Sequence, residues 1–133
     1  MAYGTIYSDT VQGSTANTAP VFKDGNTVEI GQLCKSWINY NGTSGSVSTR
    51  ASFNISSLTR SGTGTYYVIT NIAFVDTSYC VTTTCDKAAG GDHYMGVTDI
   101  ASSVPTTSKI YVEIIDPHTA FEDSTQCCIN IIR

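Results

Sequence analysis

The five cysteines are the residues of this sequence with the widest chemical repertoire, and their spacing bears on disulfide formation, metal binding and burial. An odd number suits a complete set of disulfides poorly. Cys80 and Cys85 have four residues between them, where a zinc knuckle or redox pair typically has two, and no histidine stands at ligand spacing from them. Cys127 and Cys128 are adjacent, so on a strand their side chains would point to opposite faces. All five cysteines, including Cys34, are predicted to be buried free thiols that behave as small apolar residues.

The two histidines, His93 and His118, are the natural candidates for acid–base catalysis. The chain is rich in serine, but no Gly-x-Ser-x-Gly elbow or other activating context surrounds a candidate nucleophile. No paired carboxylates stand at recognisable glycosidase positions. We therefore expect a protein that is not an enzyme and that needs no cofactor.

A local cluster of acidic residues near the C-terminus is a candidate binding site for a divalent ion. It consists of Asp116, His118, Glu122 and Asp123. Its spacing lacks the alternating Asp and the glycine of a calcium loop. We therefore interpret this segment as a solvated loop and expect no metal site.

Trp37, the only tryptophan, has two possible roles. An indole face packs well on a sugar ring, so Trp37 could be a stacking platform for a glycan. A tryptophan at the start of an alternating strand is more often part of the core, and we predict that role.

The segment 85–93 is predicted to be a loop because it combines charges with the Gly90-Gly91 pair. Loops on rigid β scaffolds frequently carry binding residues. The candidates for contact with a receptor or glycan are Lys87, Asp92, His93, Tyr94 and His118.

Composition and charge exclude several classes of partner. The formal net charge is -4 and only 14% of the residues are charged, so the chain lacks the clustered Lys and Arg that bind nucleic acid. No apolar segment approaches the roughly 18 residues of a membrane span. Residues 1–15 lack a basic start and an apolar run, so we expect no signal peptide and synthesis in the cytoplasm.

Hydrophobic patterning predicts strands throughout and no sustained helix. Apolar and polar residues alternate from Ser36 onwards, and Gly-rich turns at 41–45 and 61–65 separate the first strands. A single domain with this pattern is predicted to be an all-β, antiparallel β-sandwich of about seven to eight short strands. The terminal strand is apolar on both faces and is expected in the centre of a sheet or at an interface. The predicted strands lie within 36–41, 46–55, 66–75, 79–84, 94–100, 108–116 and 126–133.

Residues 1–33 are predicted to form an extended N-terminal arm, separate from the sandwich at 34–133. The arm is too polar to bury enough apolar surface by itself, so its order would come from the domain, a sister subunit or a docking partner. Its candidate docking residues are Tyr3, Ile6, Tyr7, Val21 and Phe22.

Three stretches of the sequence carry a family resemblance. They are CKSWINYNG at 34–42, RASFNISS at 50–57 and GTGTYYV at 62–68. Together they resemble the C-terminal domain of bacteriophage tail fibre proteins, particularly those of cyanophages and prophages. The closing CINIIR at 128–133 is similar to that family's last strand, whereas the likeness is weak over 80–125.

The resemblance implies a structural virion protein, a homotrimer that docks through its arm and presents its β-sandwich to a host-surface glycan. Longer family members carry a fibre shaft before this domain, whereas here only some thirty residues precede it. Three placements follow: a short tail fibre, a tail or baseplate fibre, or a fibre on the capsid surface. The alternatives are a capsid decoration protein without a host receptor and a soluble carbohydrate-binding module.

Overall fold

The computed structural model describes residues 8, 10–11, 22–23, 25–31, 33–86, 95–97, 104–118 and 120–133. The chain divides into two compact units, Met1–Leu33 and Cys34–Arg133. The described residues form strands, turns and irregular segments, and none of them belongs to a helix that could cross a membrane.

The first unit contains a small antiparallel hairpin. Strand β1 (Phe22–Lys23) pairs with β2 (Glu29–Gly31), and Thr27 in the connection has a left-handed backbone with φ 65°.

The second unit is a β-sandwich of two four-stranded antiparallel sheets, which confirms the predicted fold class. The first sheet has the strand order β4-β3-β10-β7, and the second has the order β5-β6-β9-β8. The strands are β3 (Cys34–Asn41), β4 (Ser48–Phe53), β5 (Ile55–Gly62), β6 (Thr65–Thr70), β7 (Cys80–Cys85), β8 (Met95–Val97), β9 (Lys109–Ile115) and β10 (Cys127–Ile132).

The core lies between the two sheets and follows from the alternation of side chains along the middle strands. Each fully buried aliphatic side chain contributes about 1.5–3 kcal/mol through the apolar surface that it removes from water. Strand β10 lies in the centre of its sheet, between β3 and β7, as its two apolar faces predicted. The buried hydrophobic residues are Ile38, Tyr40, Tyr66, Val68, Phe74, Ile110, Val112, Ile114, Cys127, Ile129 and Ile131.

The predicted strand at 46–55 is wrong as a single element. Asn54 has φ 57°, and this left-handed residue turns the chain out of β4 in the first sheet and into β5 in the second. Its side chain fixes the turn, because Nδ2 donates to the carbonyl oxygens of Lys35 (3.1 Å) and Ile72 (3.2 Å), and Oδ1 accepts from the Ile72 amide (2.8 Å). Asparagine tolerates the left-handed region better than most residues, which explains how a sheet change fits into one position.

The apolar run at 66–75 is also shorter as a strand than predicted. Strand β6 ends at Thr70, and its residues alternate between the core and the outer face. After the strand ends, Phe74 turns back into the core, whereas Val75 is 79% exposed.

Two glycines lie where a side chain would meet neighbouring atoms. Gly64 closes the hairpin between β5 and β6 with φ 64°, in the Gly-rich turn predicted at 61–65, and a Cβ there would lie 2.5 Å from the Ile114 carbonyl oxygen. At Gly96 in β8, a Cβ would clash with Thr83 Oγ1, so β7 and β8 approach closely there. The Thr83 hydroxyl donates to the Gly96 carbonyl oxygen (2.8 Å) and joins β7 to β8 across the two sheets.

Candidate functional site

Trp37 lies on the outer face of the first sheet, so the prediction that it belongs to the core is wrong. The buried residues of β3 are Ser36, Ile38 and Tyr40, and the alternation of the strand places Trp37 on the opposite face with partial exposure. The alternation itself was predicted correctly, but the large aromatic side chain belongs to its outer set. Trp37 is therefore available for the other role considered from sequence, as a stacking surface.

The register of the first sheet places two further side chains beside Trp37. It lies directly opposite Phe53 on β4 and Asn130 on β10. Directly opposed residues of antiparallel strands share a face, so the three side chains form one row across the sheet. Phe53 is 55% exposed and Asn130 is exposed as well. This row, called the Trp37 surface below, combines two aromatic groups with an amide that both donates and accepts hydrogen bonds.

Polar groups adjoin this row on the outer face. Lys35 and Asn39 lie two positions before and after Trp37 on the same face of β3. Arg50 donates from Nη1 to Asn39 Oδ1 (3.4 Å) and to the Tyr40 carbonyl oxygen (3.1 Å). Its Nη2 donates to the Thr125 carbonyl oxygen at 2.6 Å. The guanidinium is thus held by the protein itself and stiffens this side of the surface.

The outer face of the second sheet carries a different aromatic group. Tyr67 and Tyr111 are directly opposed on β6 and β9, with ring centroids 5.7 Å apart. The Lys109 ammonium lies 3.8 Å from the centroid of Tyr67 and 4.7 Å from that of Tyr111, so it makes cation–π contacts with both rings. A ligand that stacks on the same face of these rings would have to displace the lysine. The Trp37 surface is therefore the better candidate for aromatic stacking.

Most of the residues predicted to contact a receptor lie outside the described residues, namely Lys87, Asp92, His93 and Tyr94. His118 is described and is exposed, in the connection between β9 and β10. Its amide donates to Asp116 Oδ1 (2.9 Å), and its Nδ1 lies 3.7 Å from Asp116 Oδ2. This local turn is outside the row of strands that carries Trp37.

Most of the predicted docking residues also lie outside the described residues. Tyr3, Ile6, Tyr7 and Val21 lie outside the described residues. Phe22 is the described one, and it lies on β1 opposite Gly31 with 47% of its surface exposed.

The acidic group near the C-terminus is not a solvated loop throughout, because Asp123 is an anchor with only 15% of its side chain exposed. Its carboxylate accepts hydrogen bonds from Arg60 Nε (2.9 Å) and from the amides of Gly64 (2.9 Å) and Ser44 (3.1 Å). The Tyr66 hydroxyl lies 2.7 Å from its Oδ1. Burial by itself would raise the pKa of Asp123, but the hydrogen bonds from Arg60, Gly64 and Tyr66 outweigh it and lower the pKa to about 2.

This arrangement makes Asp123 a structural group. It ties the turn after β3 and the β5–β6 hairpin to the segment before β10, and its oxygens are already occupied by donors. Within the described part of the chain, no group of three or more His, Cys, Asp or Glu side chains could hold a metal ion.

The predicted burial of the five cysteines is only partly correct. All five cysteines are free in the structure, and Cys127 is buried. Cys34 and Cys80 are exposed, so the prediction of burial is wrong for these two. Both lie opposite Ile132, one on each flanking strand, at the end of the ladders that β10 forms.

Three residues were not predicted to have a role. Phe53 and Asn130 belong to the Trp37 surface, and Asp123 anchors two turns. The alternation of residues 47–53 already placed Phe53 on a definite face. Its partner on β3 follows from the register of the hairpin, which has a bulge between Asn39 and Tyr40. A bulge of this kind leaves no distinct mark in the sequence, so the pairing could not be predicted.

No protein-family model matches this chain, and no curated protein or solved structure is significantly similar to it. The likeness of residues 34–68 to a tail fibre domain therefore stays a prediction from the residues quoted above.

Proposed function

We propose that this protein is a structural component of a bacteriophage virion that attaches to a glycan on the host surface. In this proposal the chain forms a homotrimer, docks to tail, baseplate or capsid proteins through residues 1–33, and binds the glycan with its β-sandwich. The virion role and the trimer are supported by the sequence resemblance at 34–68. A weakly charged surface, with 14% charged residues, suits lasting contact between subunits.

The observation that carries the attachment role is the outward position of Trp37 beside the half-exposed Phe53. Aromatic side chains that remain exposed on a rigid sheet offer a large apolar contact area at a small cost in side-chain entropy. Asn130, in the same row, supplies donors and acceptors for sugar hydroxyl groups. Apolar contact with a few placed polar groups is the general composition of a ligand site.

The test is binding of the purified full-length protein to polysaccharide from the host surface, measured by calorimetry and on a glycan array. Trp37→Ala is expected to weaken binding by about tenfold, which corresponds to roughly 1.4 kcal/mol. Phe53→Ser is expected to weaken binding in the same direction. Because Trp37 is only partly exposed, circular dichroism and thermal unfolding of each variant will verify that the sandwich still forms.

Tyr111→Ala is the matched control, because it also removes an outward aromatic side chain from a middle strand, but on the other sheet. It is expected to leave glycan binding unchanged. Equal losses for Trp37→Ala and Tyr111→Ala would contradict a site on the Trp37 surface. Binding of the wild-type protein to no host glycan would contradict the attachment role and favour a capsid decoration protein.

A further inference from the structure

The strand register determines which of the cysteines can pair. Cys127 on β10 lies directly opposite Cys85 on β7. Cys34 and Cys80 both lie opposite Ile132, but on the two strands that flank it. They are therefore two strand spacings apart, about 9.5 Å. That separation exceeds the Cα distance that a disulfide spans, which is at most about 6.8 Å.

Cys128, the remaining cysteine, lies opposite Thr84 on β7 and opposite Asn39 on β3, so neither flanking strand offers it a cysteine. Its side chain also points to the face opposite that of Cys127. Among these cysteines, therefore, the register places only Cys85 and Cys127 as direct cross-strand partners.

The hydrogen bonding next to Cys85 and Cys127 shows which of the two Cα–Cα distances of an antiparallel ladder applies to this pair. It is the shorter one. The Asp86 amide donates to the Gln126 carbonyl oxygen at 2.7 Å, and these residues follow and precede the two cysteines. Because hydrogen-bonded and non-hydrogen-bonded pairs alternate, Cys85 and Cys127 form a non-hydrogen-bonded pair, for which Cα atoms lie about 4.5 Å apart. Disulfides span Cα distances from about 4.4 to 6.8 Å, so the pair is at bridging distance.

A cleft gives small molecules access to one of the two thiols. It has a volume of about 270 Å³ and lies at the end of β7 and β10, with Cys85 but not Cys127 among its lining residues. Cys85 is partly exposed, whereas Cys127 is 1% exposed. Of the two paired cysteines, Cys85 is therefore the one that a reagent in the cleft can reach. The lining residues are Thr84, Cys85, Asp86, Gln126 and Cys128.

The surroundings of Cys127 favour a thiolate at the inner position. A hydrogen bond from the Cys85 thiol lowers the pKa of Cys127 against the opposing effect of burial, and the Ser124 hydroxyl acts in the same direction. The same contact with Cys127, together with burial, raises the pKa of Cys85. The buried Tyr40 hydroxyl, which lies opposite Cys127 on β3, also lowers the pKa of Cys127.

We propose that Cys85 and Cys127 form an oxidisable dithiol, which becomes a cross-strand disulfide by exchange with a small disulfide such as glutathione disulfide. The Cys85 sulfur attacks the reagent and passes its proton to the Cys127 thiolate. The S–S bond of the reagent breaks, so that a mixed disulfide forms on Cys85 and one glutathione thiolate leaves. That thiolate accepts the proton from Cys127.

In the second step the Cys127 thiolate attacks the Cys85 sulfur, and the second glutathione leaves as a thiolate. The protein dithiol is oxidised by two electrons, and the reagent is reduced to two molecules of glutathione. The product covalently joins the edge strand β7 to the central strand β10.

The experiment uses the full chain with Cys34→Ser and Cys80→Ser, which removes the two exposed thiols. The protein is incubated with glutathione disulfide, the remaining thiols are alkylated, and peptides are mapped by mass spectrometry. The expected product is a Cys85–Cys127 cross-link that a reductant reverses. The oxidised form is expected to unfold at a temperature higher by on the order of 10 °C, since a disulfide restricts the unfolded chain.

Single substitutions distinguish the role of the Cys85 thiol from that of the Cys127 thiol. Cys127→Ala is expected to accumulate glutathione on Cys85, whereas Cys85→Ser is expected to show neither the mixed disulfide nor the cross-link. Cys128→Ser is the matched control, because Cys128 lines the same cleft but faces away from the pair, and the cross-link should form as before. Alkylation of both Cys85 and Cys127 after oxidation of the folded protein would overturn the proposal, as would a cross-link that involves Cys128.

Discussion

At the scale of single residues, Asp123 and Trp37 show that the role of a side chain depends on its position in the fold. Asp123 belongs to a charged segment that resembles a surface loop in sequence, yet it accepts hydrogen bonds from two turns and from Arg60. Trp37 resembles a core residue in sequence, yet it lies on an outer face. Asp123 therefore contributes to stability, whereas Trp37 is the side chain to which the proposed function assigns glycan binding.

Asp123→Asn is expected to lower the free energy of unfolding by about 2 kcal/mol, because it removes a charge-assisted pair with Arg60 and leaves buried donors poorly satisfied. Urea denaturation measures the effect. Glu122→Gln, at the neighbouring position, is the control and should change the free energy of unfolding by less than about 0.5 kcal/mol. Equal effects for the two variants would contradict the anchoring role.

The same carboxylate predicts how stability depends on pH. The pKa of Asp123 is about 2 in the folded protein and about 3.9 in an unfolded chain, so its contribution is complete above the unfolded value. That contribution is lost as the pH falls from about 4 to 2. The pKa of Asp76 is also about 2, because Arg133 and the Ser78 amide donate to it. The loss of stability in acid, followed by urea denaturation, should therefore be smaller in Asp123→Asn but still present, and an unchanged acid profile would count against this assignment.

At the scale of elements, the least predictable feature is the corner at Asn54 between β4 and β5. Residues 46–55 contain no proline or glycine, so the run looks like one continuous strand. The break depends on contacts of the Asn54 side chain with Lys35 and Ile72, which are distant in sequence. By contrast, the hairpin at Gly64 was predictable, because a glycine-rich turn between two strands is a local signal and Gly64 adopts a positive φ there.

Substitutions of Asn54 separate the two contributions to this corner. Asn54→Gly loses the side-chain hydrogen bonds but keeps easy access to a positive φ, whereas Asn54→Ala loses both. We expect Asn54→Ala to be the less stable variant by about 1 kcal/mol, as measured by urea denaturation. Asn71→Ala, at an exposed position beside the corner, should remain close to wild type. If the Gly and Ala variants of Asn54 were equally stable, the left-handed backbone would not be the source of the difference.

At the scale of the whole molecule, alternation along the strands was sufficient to predict an all-β sandwich. The two apolar faces of the last strand predicted a place in the centre of a sheet or at an interface, and the strand lies in the centre of its sheet. Alternation was not sufficient to predict the candidate site. Alternation defines two faces for β3, and only the pairing of strands shows that Phe53 and Asn130 lie beside Trp37. Strand pairing is a long-range property, so it could not be predicted from the local pattern.

The proposal that the protein is a trimeric attachment component of a bacteriophage virion is tested most directly by a density map of intact virions in which the protein is located. The expected result is threefold density for the sandwich at a tail, baseplate or capsid fibre, with residues 1–33 against a neighbouring protein and the Trp37 surface open to the outside. A monomer in the map, burial of the Trp37 surface against the capsid, or absence of the protein from purified virions would contradict it.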